Sequence, residues 1–298
     1  MNKMKKIGLT ALAASLVSVS AQAVDISGGS SLTYANGNDG VQGNPWSMND
    51  SLTFSWGGEL DNGFTVDMSF LLDNSDGAAS QILDNRTLAI GMGDAGTLTF
   101  WGQAGSGVVG SFDDRTPNAY EESWNSADSP NQGHSTSNMF YYTKAIDGAA
   151  IDVSYTPSGT SNHDASMEAG VTVTAIDNLT LYGAVGTDNA ASNAVDNTIM
   201  GAKFTMGGAT IGVQANEADS ATANGDEEFL AWSLSYAVSE DMSVSFGQSE
   251  LSYENPATAD QEATGISASY TMGSMTLAGV LNDITNQGAA ATGAGNTT

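Results

Sequence analysis

The sequence predicts an all-β protein, a transmembrane antiparallel up-and-down β-barrel. Three observations support this fold class. After residue 23, apolar and polar residues alternate with a period of two along much of the chain, and no segment shows a helical apolar stripe. Tight turns also alternate with longer polar connections. Strands of about ten residues, joined by short turns at one end and long loops at the other, are typical of outer-membrane barrels.

Residues 1–23 are predicted to be a cleaved signal peptide. Three lysines precede an apolar stretch at 7–19, and the Ala-Gln-Ala sequence at 21–23 has the small-x-small pattern of a signal peptidase site. The apolar stretch is shorter than the ~20 residues that a membrane-spanning helix needs. The mature, exported chain is therefore expected to comprise residues 24–298.

Composition excludes several classes of protein. The 298 residues include 34 acidic and seven basic side chains, and three of the basic ones lie in the leader. The mature segment thus has 34 acidic residues against four basic ones, a net charge of −30. Nucleic-acid binding requires a basic surface, so it is excluded. The absence of cysteine excludes disulfide scaffolds, Cys-ligated zinc and thiol nucleophiles.

Period-two alternation predicts strands with one apolar and one polar face. Leu52, Phe54 and Trp56, for example, alternate with Thr53 and Ser55. Fifteen strands are predicted, starting near Val24, Ser51, Phe64, Arg86, Thr97, Asn138, Ala149, Met167, Leu179, Thr198, Ala209, Glu228, Met242, Thr264 and Met275. Bacterial barrels have even strand numbers, so we expect the sixteen-stranded type with its final C-terminal strand missing.

The turns indicate which strand ends are joined closely. Asn, Asp and Gly supply the positive φ that tight hairpins require. Such turns recur every 30 to 34 residues, apart from one interval of 52 residues. They lie at 61–63, 93–96, 147–148, 177–178, 207–208, 239–241 and 273–274. Between them lie longer Asn-, Asp- and Ser-rich segments, such as 188–196 and 217–226, which are predicted to be loops.

A soluble or surface-attached β-rich adhesin is the alternative from another class. Its strands would also alternate, but it would not need tight turns at only one end. Nor would it need aromatic residues near strand ends, which suit membrane-interface girdles. Candidate girdle residues are Phe54, Trp56, Phe100, Trp101, Tyr141, Tyr142, Tyr236 and Tyr270.

The mature chain resembles the trimeric porins of Gram-negative outer membranes along its whole length. The resemblance rests on the opening VDISGGSSLTY, the hairpin SLTFSWGGELDNGFTVDMSFLLD, and the strand GDAGTLTFWGQ before an unusually long loop. It implies a multi-pass, sixteen-stranded, water-filled barrel in the outer membrane, a homotrimer, and a third loop that folds inward and narrows the pore. Family members end in a strand with a C-terminal aromatic residue, whereas this chain ends at Thr298.

The long loop spans about 103–137 and contains most of the candidate functional residues. The resemblance implies that its charged residues line the pore constriction. Acidic side chains in a narrow, low-dielectric lumen attract cations and repel anions. The alternative is that these acids only solvate an external loop. The predicted constriction residues are Asp113, Asp114, Arg115, Glu121 and Glu122.

Strand parity predicts which charged residues face the lumen. The predicted pore-wall residues are Glu59, Asp67, Asp152 and Lys203, and Asp73 has the same phase. Arg86 shares its phase with the lipid-facing Leu88 and Ile90 and is predicted to lie at the rim. Porins of this family typically carry an arginine cluster opposite the loop. Four basic residues are too few for one, so we expect a cation-selective channel.

Other motifs have simpler explanations. The GxGxxG pattern at 105–110 lacks the following helix that a dinucleotide site needs. His134 lies near Asp128 and Ser135, but all three crowd into one loop without a nucleophile elbow, and His163 is isolated. We therefore expect no enzyme activity and no catalytic residue.

The acidic segments of the chain predict at most weak binding of divalent cations. The segments 36–40 and 73–77 faintly resemble the start of a calcium loop but lack its closing Glu. We expect no cofactor, although acidic external loops could bind Ca²⁺ or Mg²⁺ weakly and bridge to lipopolysaccharide.

The predicted function is passive diffusion of ions and small hydrophilic solutes through an outer-membrane pore. Expected partners are outer-membrane lipid, lipopolysaccharide and two further copies of the chain. A substrate-specific channel for sugars or anions remains a second alternative. It would need an aromatic track or a basic ring in the lumen, and neither is evident from strand parity.

Overall fold

The computed structural model describes residues 24–35, 44–73, 83–122, 124–125, 127–130, 137–159, 164–189 and 193–288. These residues contain fifteen β-strands, one short helix and a 3-10 turn at Gly93–Ala95. The strands are β1 Asp25–Tyr34, β2 Trp46–Glu59, β3 Thr65–Asp73, β4 Leu83–Gly91, β5 Thr97–Gln103, β6 Met139–Ile146, β7 Ala149–Thr156, β8 Ser166–Ile176, β9 Leu179–Asp188, β10 Val195–Met206, β11 Ala209–Ser220, β12 Glu227–Ala237, β13 Met242–Tyr253, β14 Gln261–Met272 and β15 Met275–Thr285. Within this part of the chain, no helix is both long and apolar enough to cross a bilayer.

The chain divides into two compact units. The first contains residues 1–105 and 136–144, and the second contains residues 106–135 and 145–298. Inside each unit, strands that follow one another in sequence pair antiparallel, as in β2 with β3 and β10 with β11. The predicted antiparallel up-and-down all-β fold is confirmed.

The predicted strand starts agree closely with the structure. Only β2 departs by more than three residues, because it begins at Trp46 instead of Ser51. The helix α1, Val108–Phe112, was not predicted. Its five residues make little more than one turn, which is too short to produce a helical period in the sequence.

The strands of the second unit have two different faces. Met200 and Phe204 on β10 and Ile211 on β11 are exposed, whereas Asn197 and Gln214 on the same strands are buried. Successive side chains of a strand point to opposite sides, so this pattern continues along each strand. We call the two sides of the second unit its apolar face and its buried face.

Aromatic residues of the first unit collect on one face. The rings of Phe54 and Phe70 stack with centroids 4.9 Å apart, and those of Phe100 and Phe140 are 5.1 Å apart. Phe54 is the cross-strand partner of Phe70, and Phe100 is that of Phe140. Such pairs stabilise a sheet directly.

Two of the predicted girdle residues lie on the opposite face. Trp101 and Tyr141 alternate with Phe100 and Phe140 along their strands, so they point away from the aromatic cluster. The expectation for these two residues was wrong, because adjacent aromatic residues in a strand cannot share a face.

Positive φ angles occur in the tight turns. Gly148 has φ of 70° and Asn178 has φ of 63°. A β-carbon on Gly148 would also lie 2.8 Å from the β-carbon of Ala175. Gly and Asn adopt this backbone conformation at low cost, which explains their presence at these positions.

The strands extend further than their composition predicts. The segments 188–196 and 217–226 were expected to be loops, but only 189–194 and 221–226 connect strands. Glu217 and Glu228 are directly paired across β11 and β12, so the ladder continues through charged residues. Exposed acids at these strand ends follow the apolar part of the same face: Asp196, Glu217, Glu228, Glu250 and Glu262.

Placing Arg at Leu181 or Val244 tests which face contacts lipid. Leu181 is exposed on β9, and Val244 lies on β13 in phase with the exposed Phe246. A lipid-facing Arg near the membrane midplane costs about 2–4 kcal/mol, so both variants should insert poorly. Outer-membrane yield and heat-modifiable gel mobility measure this. Glu250→Arg, on the same face of β13 but at its acidic end, is the control, and normal insertion of all three variants would contradict the assignment.

Candidate functional site

The connection between β5 and β6 spans residues 104–138. Its described residues from Ser106 to Pro130 belong to the second unit and lie against the buried face of β7 to β15. We call residues 106–130 the docked loop. Its position is set by a series of hydrogen bonds and apolar contacts that are distributed over these strands.

The docked loop begins with a helix that is held by a buried carboxylate. The Val109 N–H donates to Glu168 Oε2 at 2.9 Å, and the Val108 N–H donates to Ser154 Oγ at 3.1 Å. The Ser154 hydroxyl in turn donates to Glu168 Oε2 at 2.9 Å. Glu168 and Ser154 are only 5% and 2% exposed. These contacts satisfy N–H groups at the start of α1 that have no partner within the helix.

The apolar side of α1 packs onto two glycines. Val108, Val109 and Phe112 are fully buried. A β-carbon on Gly170 would lie 2.7 Å from both Phe112 Cζ and Val108 Cγ1, and one on Gly186 would lie 3.0 Å from Val109 Cγ2. The missing side chains at these two positions on β8 and β9 therefore let the helix approach the sheet closely.

Arg115 is held in a fixed orientation after α1. Its Nε donates to the Ser111 carbonyl at 2.8 Å, and its Nη1 donates to Thr172 Oγ1 at 3.0 Å. The guanidinium carbon lies 3.5 Å from the centroid of the Phe112 ring and 5.7 Å from that of Tyr182. Cation–π contact of this kind adds to the hydrogen bonds.

Asp113 connects the loop to β11. Its Oδ1 accepts hydrogen bonds from Asn216 Nδ2 at 2.7 Å and from Gln214 Nε2 at 3.1 Å. Gln214 Oε1 accepts from the Arg115 N–H at 3.2 Å and from the Tyr182 hydroxyl at 2.9 Å. Asp113 is therefore both a charged residue and a structural anchor.

Asp114 carries the most perturbed carboxyl of the loop. The residue as a whole is exposed, but its carboxyl group lies among protein atoms. Burial is the largest cause that raises the pKa of Asp114 to about 7, and the nearby carboxylates of Asp113, Glu122 and Glu121 contribute to this increase in that order. Its backbone φ of 52° is unusual for a residue with a side chain.

Glu122 belongs to the same acidic group. Burial raises its pKa, and Glu121 and Asp113 add to the increase. The Glu122 backbone N–H opposes this increase, as does Asn118, whose Nδ2 donates to Glu122 Oε1 at 2.9 Å. The four acids at 113, 114, 121 and 122 therefore interact electrostatically and concentrate negative charge on one part of the loop.

The middle of the loop is fixed by two serines of the sheet. Ser233 Oγ on β12 donates to the Pro117 carbonyl at 2.6 Å. The Ala119 N–H donates to Ser245 Oγ on β13 at 3.1 Å. Backbone groups of an irregular segment thus obtain the partners that burial requires.

The far end of the loop inserts an aromatic side chain into the sheet. Trp124 is 5% exposed and meets the Phe229 ring edge-on at a centroid distance of 6.2 Å. Four further buried residues complete this cluster: Ala231, Leu251, Ala263 and Ile284.

Asp128 and Gln261 form a reciprocal pair beyond Trp124. The Asp128 N–H donates to Gln261 Oε1 at 3.0 Å, and Gln261 Nε2 donates to the Asp128 carbonyl at 3.1 Å. Gln261 is the first residue of β14, and Asn282 Nδ2 on β15 donates to Asn125 Oδ1 at 3.2 Å, so the docked loop is attached from β7 through β15.

The predicted pore-wall residues lie opposite the apolar side of their own strands. In the first unit, Glu59 and Asp67 alternate with residues of the aromatic face, and Asp67 pairs with Gly57. In the second unit, Asp152 lies on the buried face, and Lys203 is in phase with the buried Ile199.

The sequence did not predict the residues of the sheet and loop that hold the docked loop in position. Glu168, Ser154, Gln214 and Trp124 were not predicted as site residues, although they hold the loop in place. One signal was available for Glu168, because it is a carboxylate that alternates with the apolar Met167 and Ala169 in a strand.

The structure describes only part of the segments that resemble nucleotide, catalytic or calcium sites. In the segment 105–110, α1 begins inside the GxGxxG pattern and ends at Phe112, and the rest of the docked loop follows it in place of the longer helix of a nucleotide site. His134 and His163 lie outside the described residues. In the part of the chain that the structure describes, no group of three or more His, Cys, Asp or Glu is arranged to hold a metal. Most of 36–40 and 73–77 also lies outside it.

Comparison with known proteins identifies consistent similarities. The sequence profile of a family described as Gram-negative porin matches residues 8–289. A search of curated proteins finds no matching sequence. Among solved structures, the chain is similar to an anion-selective porin from Comamonas acidovorans, with 13% identity, a TM-score of 0.66, and coverage of 93% of this chain and 94% of that one.

Two further structures have the same fold. A triple mutant of the Rhodopseudomonas blastica porin shares 16% identity at a TM-score of 0.65 and covers 90% of this chain and 96% of its own. OmpF from Salmonella typhi, in complex with daunomycin, shares 14% identity at a TM-score of 0.64 and covers 88% and 89%.

Glu168→Ala should release the start of the docked loop. The substitution leaves the Val109 N–H without its partner, which costs about 1–3 kcal/mol when the group stays buried. Arg115 is the only Lys or Arg within 104–138, so trypsin cleavage after it reports loop exposure. We expect faster cleavage in Glu168→Ala than in wild type, and no change in Glu217→Ala, which removes an exposed carboxylate. Equal rates in all three proteins would show that Glu168 does not anchor the loop.

Proposed function

Because the chain belongs to the Gram-negative porin family, we propose that it forms an outer-membrane pore that the docked loop narrows and makes cation-selective. Outer-membrane channel function follows from the family. We add three proposals to this: the loop folds into the pore, its charged residues form the constriction, and the pore prefers cations. Family membership also argues against the adhesin alternative.

The main support for the proposal is that the docked loop is attached to the buried face of the second unit. Side chains on the apolar face of the second unit are exposed, as lipid contact requires, and the loop lies on the other face. If the apolar face meets lipid, the buried face is the one turned toward the lumen. Contacts from β7 through β15 would then hold the loop within the pore, where it reduces the cross-section.

The charges of the loop support a preference for cations. Asp113, Asp114, Glu121 and Glu122 lie close to one another, and burial together with the repulsion from the other three carboxylates raises the pKa of Asp114. Arg115 is the one basic residue of the connection and is held against Thr172 and Phe112. Negative charge in a narrow low-dielectric passage raises the local cation concentration.

The same fold also supports the opposite preference, as in the Comamonas acidovorans porin described as anion-selective. Selectivity therefore depends on side chains, not on the barrel. An anion pore requires basic groups at its narrowest part. The mature chain has only four basic residues, and two of them, Arg86 and Lys144, share the aromatic face of the first unit.

The proposed mechanism involves no reaction. Ions and small hydrophilic solutes would diffuse through the pore, with a size limit set by the loop and an electrostatic bias set by its carboxylates. A trimeric assembly and contact with lipopolysaccharide are part of the same proposal and rest on the family resemblance.

The reversal potential in a planar bilayer under a KCl gradient tests the selectivity. We expect wild type to prefer potassium over chloride. The variant carrying Asp113→Asn, Asp114→Asn, Glu121→Gln and Glu122→Gln should lose most of that preference while remaining folded, because amide oxygens can still accept the hydrogen bonds to Asp113 and Glu122.

A second quadruple variant provides the control. Asp196→Asn, Glu217→Gln, Glu228→Gln and Glu250→Gln remove the same number of charges from the exposed face. This variant should keep the wild-type potential. A preference for chloride in wild type would refute cation selectivity and leave the pore, whereas equal effects of the two variants would indicate that total charge, not the loop, sets the preference.

The preference should also depend on pH. The pKa of Asp114 is raised to about 7, so its carboxyl is mostly ionised above that pH and neutral below it. Lowering the pH from about 8 to about 6 should therefore reduce the cation preference and stabilise the docked loop, and this stability should be lost as the pH rises through 7. Asp114→Asn should flatten the pH profile of the reversal potential in this range. An unchanged profile would exclude Asp114 as the titrating group.

A further inference from the structure

The exposed face of the second unit contains two pairs of glutamates that lie directly opposite each other on neighbouring strands. Glu217 on β11 is paired with Glu228 on β12, and Glu250 on β13 is paired with Glu262 on β14. All four side chains are exposed. Directly paired residues have their β-carbons about 4.5–5.5 Å apart, and like charges in such positions repel each other.

No basic side chain of these strands relieves the repulsion. Lys203 is the last Lys or Arg of the chain, and residues 204–298 contain twelve Asp and Glu and no His. The four strands that carry the pairs lie within that segment. Lys203 itself, on the neighbouring β10, is in phase with the buried Ile199 and therefore lies on the other face. The strength of the repulsion thus depends on the ions of the surrounding medium.

One glutamate of each pair lies next to a residue that is hydrogen-bonded to the docked loop. Asn216 precedes Glu217, and its Nδ2 donates to Asp113 Oδ1 at 2.7 Å. Gln261 precedes Glu262 and exchanges two hydrogen bonds with the loop backbone. Both anchors are therefore carried by the same strand ends as the repelling carboxylates.

The other glutamate of each pair lies next to a residue of the Trp124 cluster. Phe229 follows Glu228 and Leu251 follows Glu250, and both apolar side chains are buried in that cluster. Successive side chains of a strand point to opposite faces. The same short stretches of backbone thus carry repelling carboxylates on one face and the contacts of the loop on the other, so a displacement of these strand ends disturbs both.

We propose that the two glutamate pairs make the attachment of the docked loop dependent on ionic strength. Charges are screened within about 3 Å at 1 M salt but only within about 30 Å at 0.01 M salt. In concentrated salt the repulsion is weak and the loop stays attached. In dilute salt the repulsion separates the outer ends of β11 to β14 locally, and the loop contacts on the opposite face are released.

The proposal goes beyond the pore function. It depends on the contacts between the docked loop and the sheet, and neither the membrane location nor the ion preference enters it. Where the loop narrows a pore, as proposed above, its release in dilute medium widens the passage. The test therefore measures exposure of the loop and not conductance, so that its failure is distinct from a failure of the pore.

A single introduced thiol tests the proposal, because the chain contains no cysteine. Ala127 is partly buried against the Trp124 cluster, so Ala127→Cys places a thiol where release of the loop exposes it. Its alkylation by the neutral reagent iodoacetamide is measured in detergent at about 1 M and about 0.01 M NaCl. Each rate is divided by that of the urea-unfolded protein at the same salt concentration.

The relative rate of alkylation should rise about fourfold in dilute salt, because two pairs that each shift the opening equilibrium about twofold act together. A relative rate that does not change with salt would overturn the proposal. Sodium chloride and choline chloride of equal ionic strength should protect the thiol equally. Protection by CaCl₂ added at constant ionic strength would instead show a bound cation, and screening would be the wrong explanation.

Variants separate the two pairs from total charge. Glu228→Gln and Glu250→Gln together remove one carboxylate from each pair, and the salt response should then fall below about twofold. Asp177→Asn and Asp241→Asn remove two exposed carboxylates at the tight turns, and this control should keep the full response. Equal responses of the two double variants would show that total charge sets the salt dependence, and the proposal would be wrong.

Trypsin cleavage after Arg115 provides a second measurement that needs no introduced thiol. In dilute salt, the variant with Glu228→Gln and Glu250→Gln should be cleaved more slowly than wild type, whereas the control variant should be cleaved at the wild-type rate. Because the three proteins are compared at the same salt concentration, any effect of salt on trypsin cancels. Equal cleavage of all three in dilute salt would overturn the proposal even if Ala127→Cys disturbed the loop.

Discussion

The position of the docked loop depends on the hydrogen bonds that the buried Glu168 carboxylate accepts. It accepts hydrogen bonds from the Val109 N–H and the Ser154 hydroxyl, and Ser154 Oγ accepts one from the Val108 N–H. A carboxylate with 5% exposure is stable only when donors surround it, so the strands and the helix require each other. Because α1 is fixed in this way, the residues that follow it, Asp113 and Arg115, reach their partners on β8 and β11.

The contacts that hold the docked loop in position oppose the electrostatic repulsion among its carboxylates. Docking buries the Asp114 carboxyl group and brings it close to other carboxylates that repel it, and both effects raise its pKa. Neutral contacts offset this cost, chiefly the apolar packing of Phe112 and Trp124 at either side of the acidic segment. The protein thus keeps an electrostatically unfavourable group in place through hydrophobic burial, which does not depend on the protonation state of the carboxyl groups.

The sequence predicts the strands well because lipid contact enforces a period of two. It predicts their outer ends poorly, because acids such as Glu217 and Glu228 remain in the ladder but resemble loop residues. The acids of the loop were identifiable from composition. Their anchors were not, since Glu168 and Gln214 are separated from the loop by many residues and their role depends on which strand positions face it.

The contacts of Trp124, Asn125 and Asp128 have a consequence for assembly. Asn282 Nδ2 on β15 donates to Asn125 Oδ1 across 157 residues of sequence, and Gln261 pairs with Asp128 across 133. Closing such long chain segments is slow and entropically costly. The loop therefore reaches its final position only after the last strands have formed. A nascent chain presents this segment unprotected until then, and access of a protease or chaperone to it reports how far assembly has progressed.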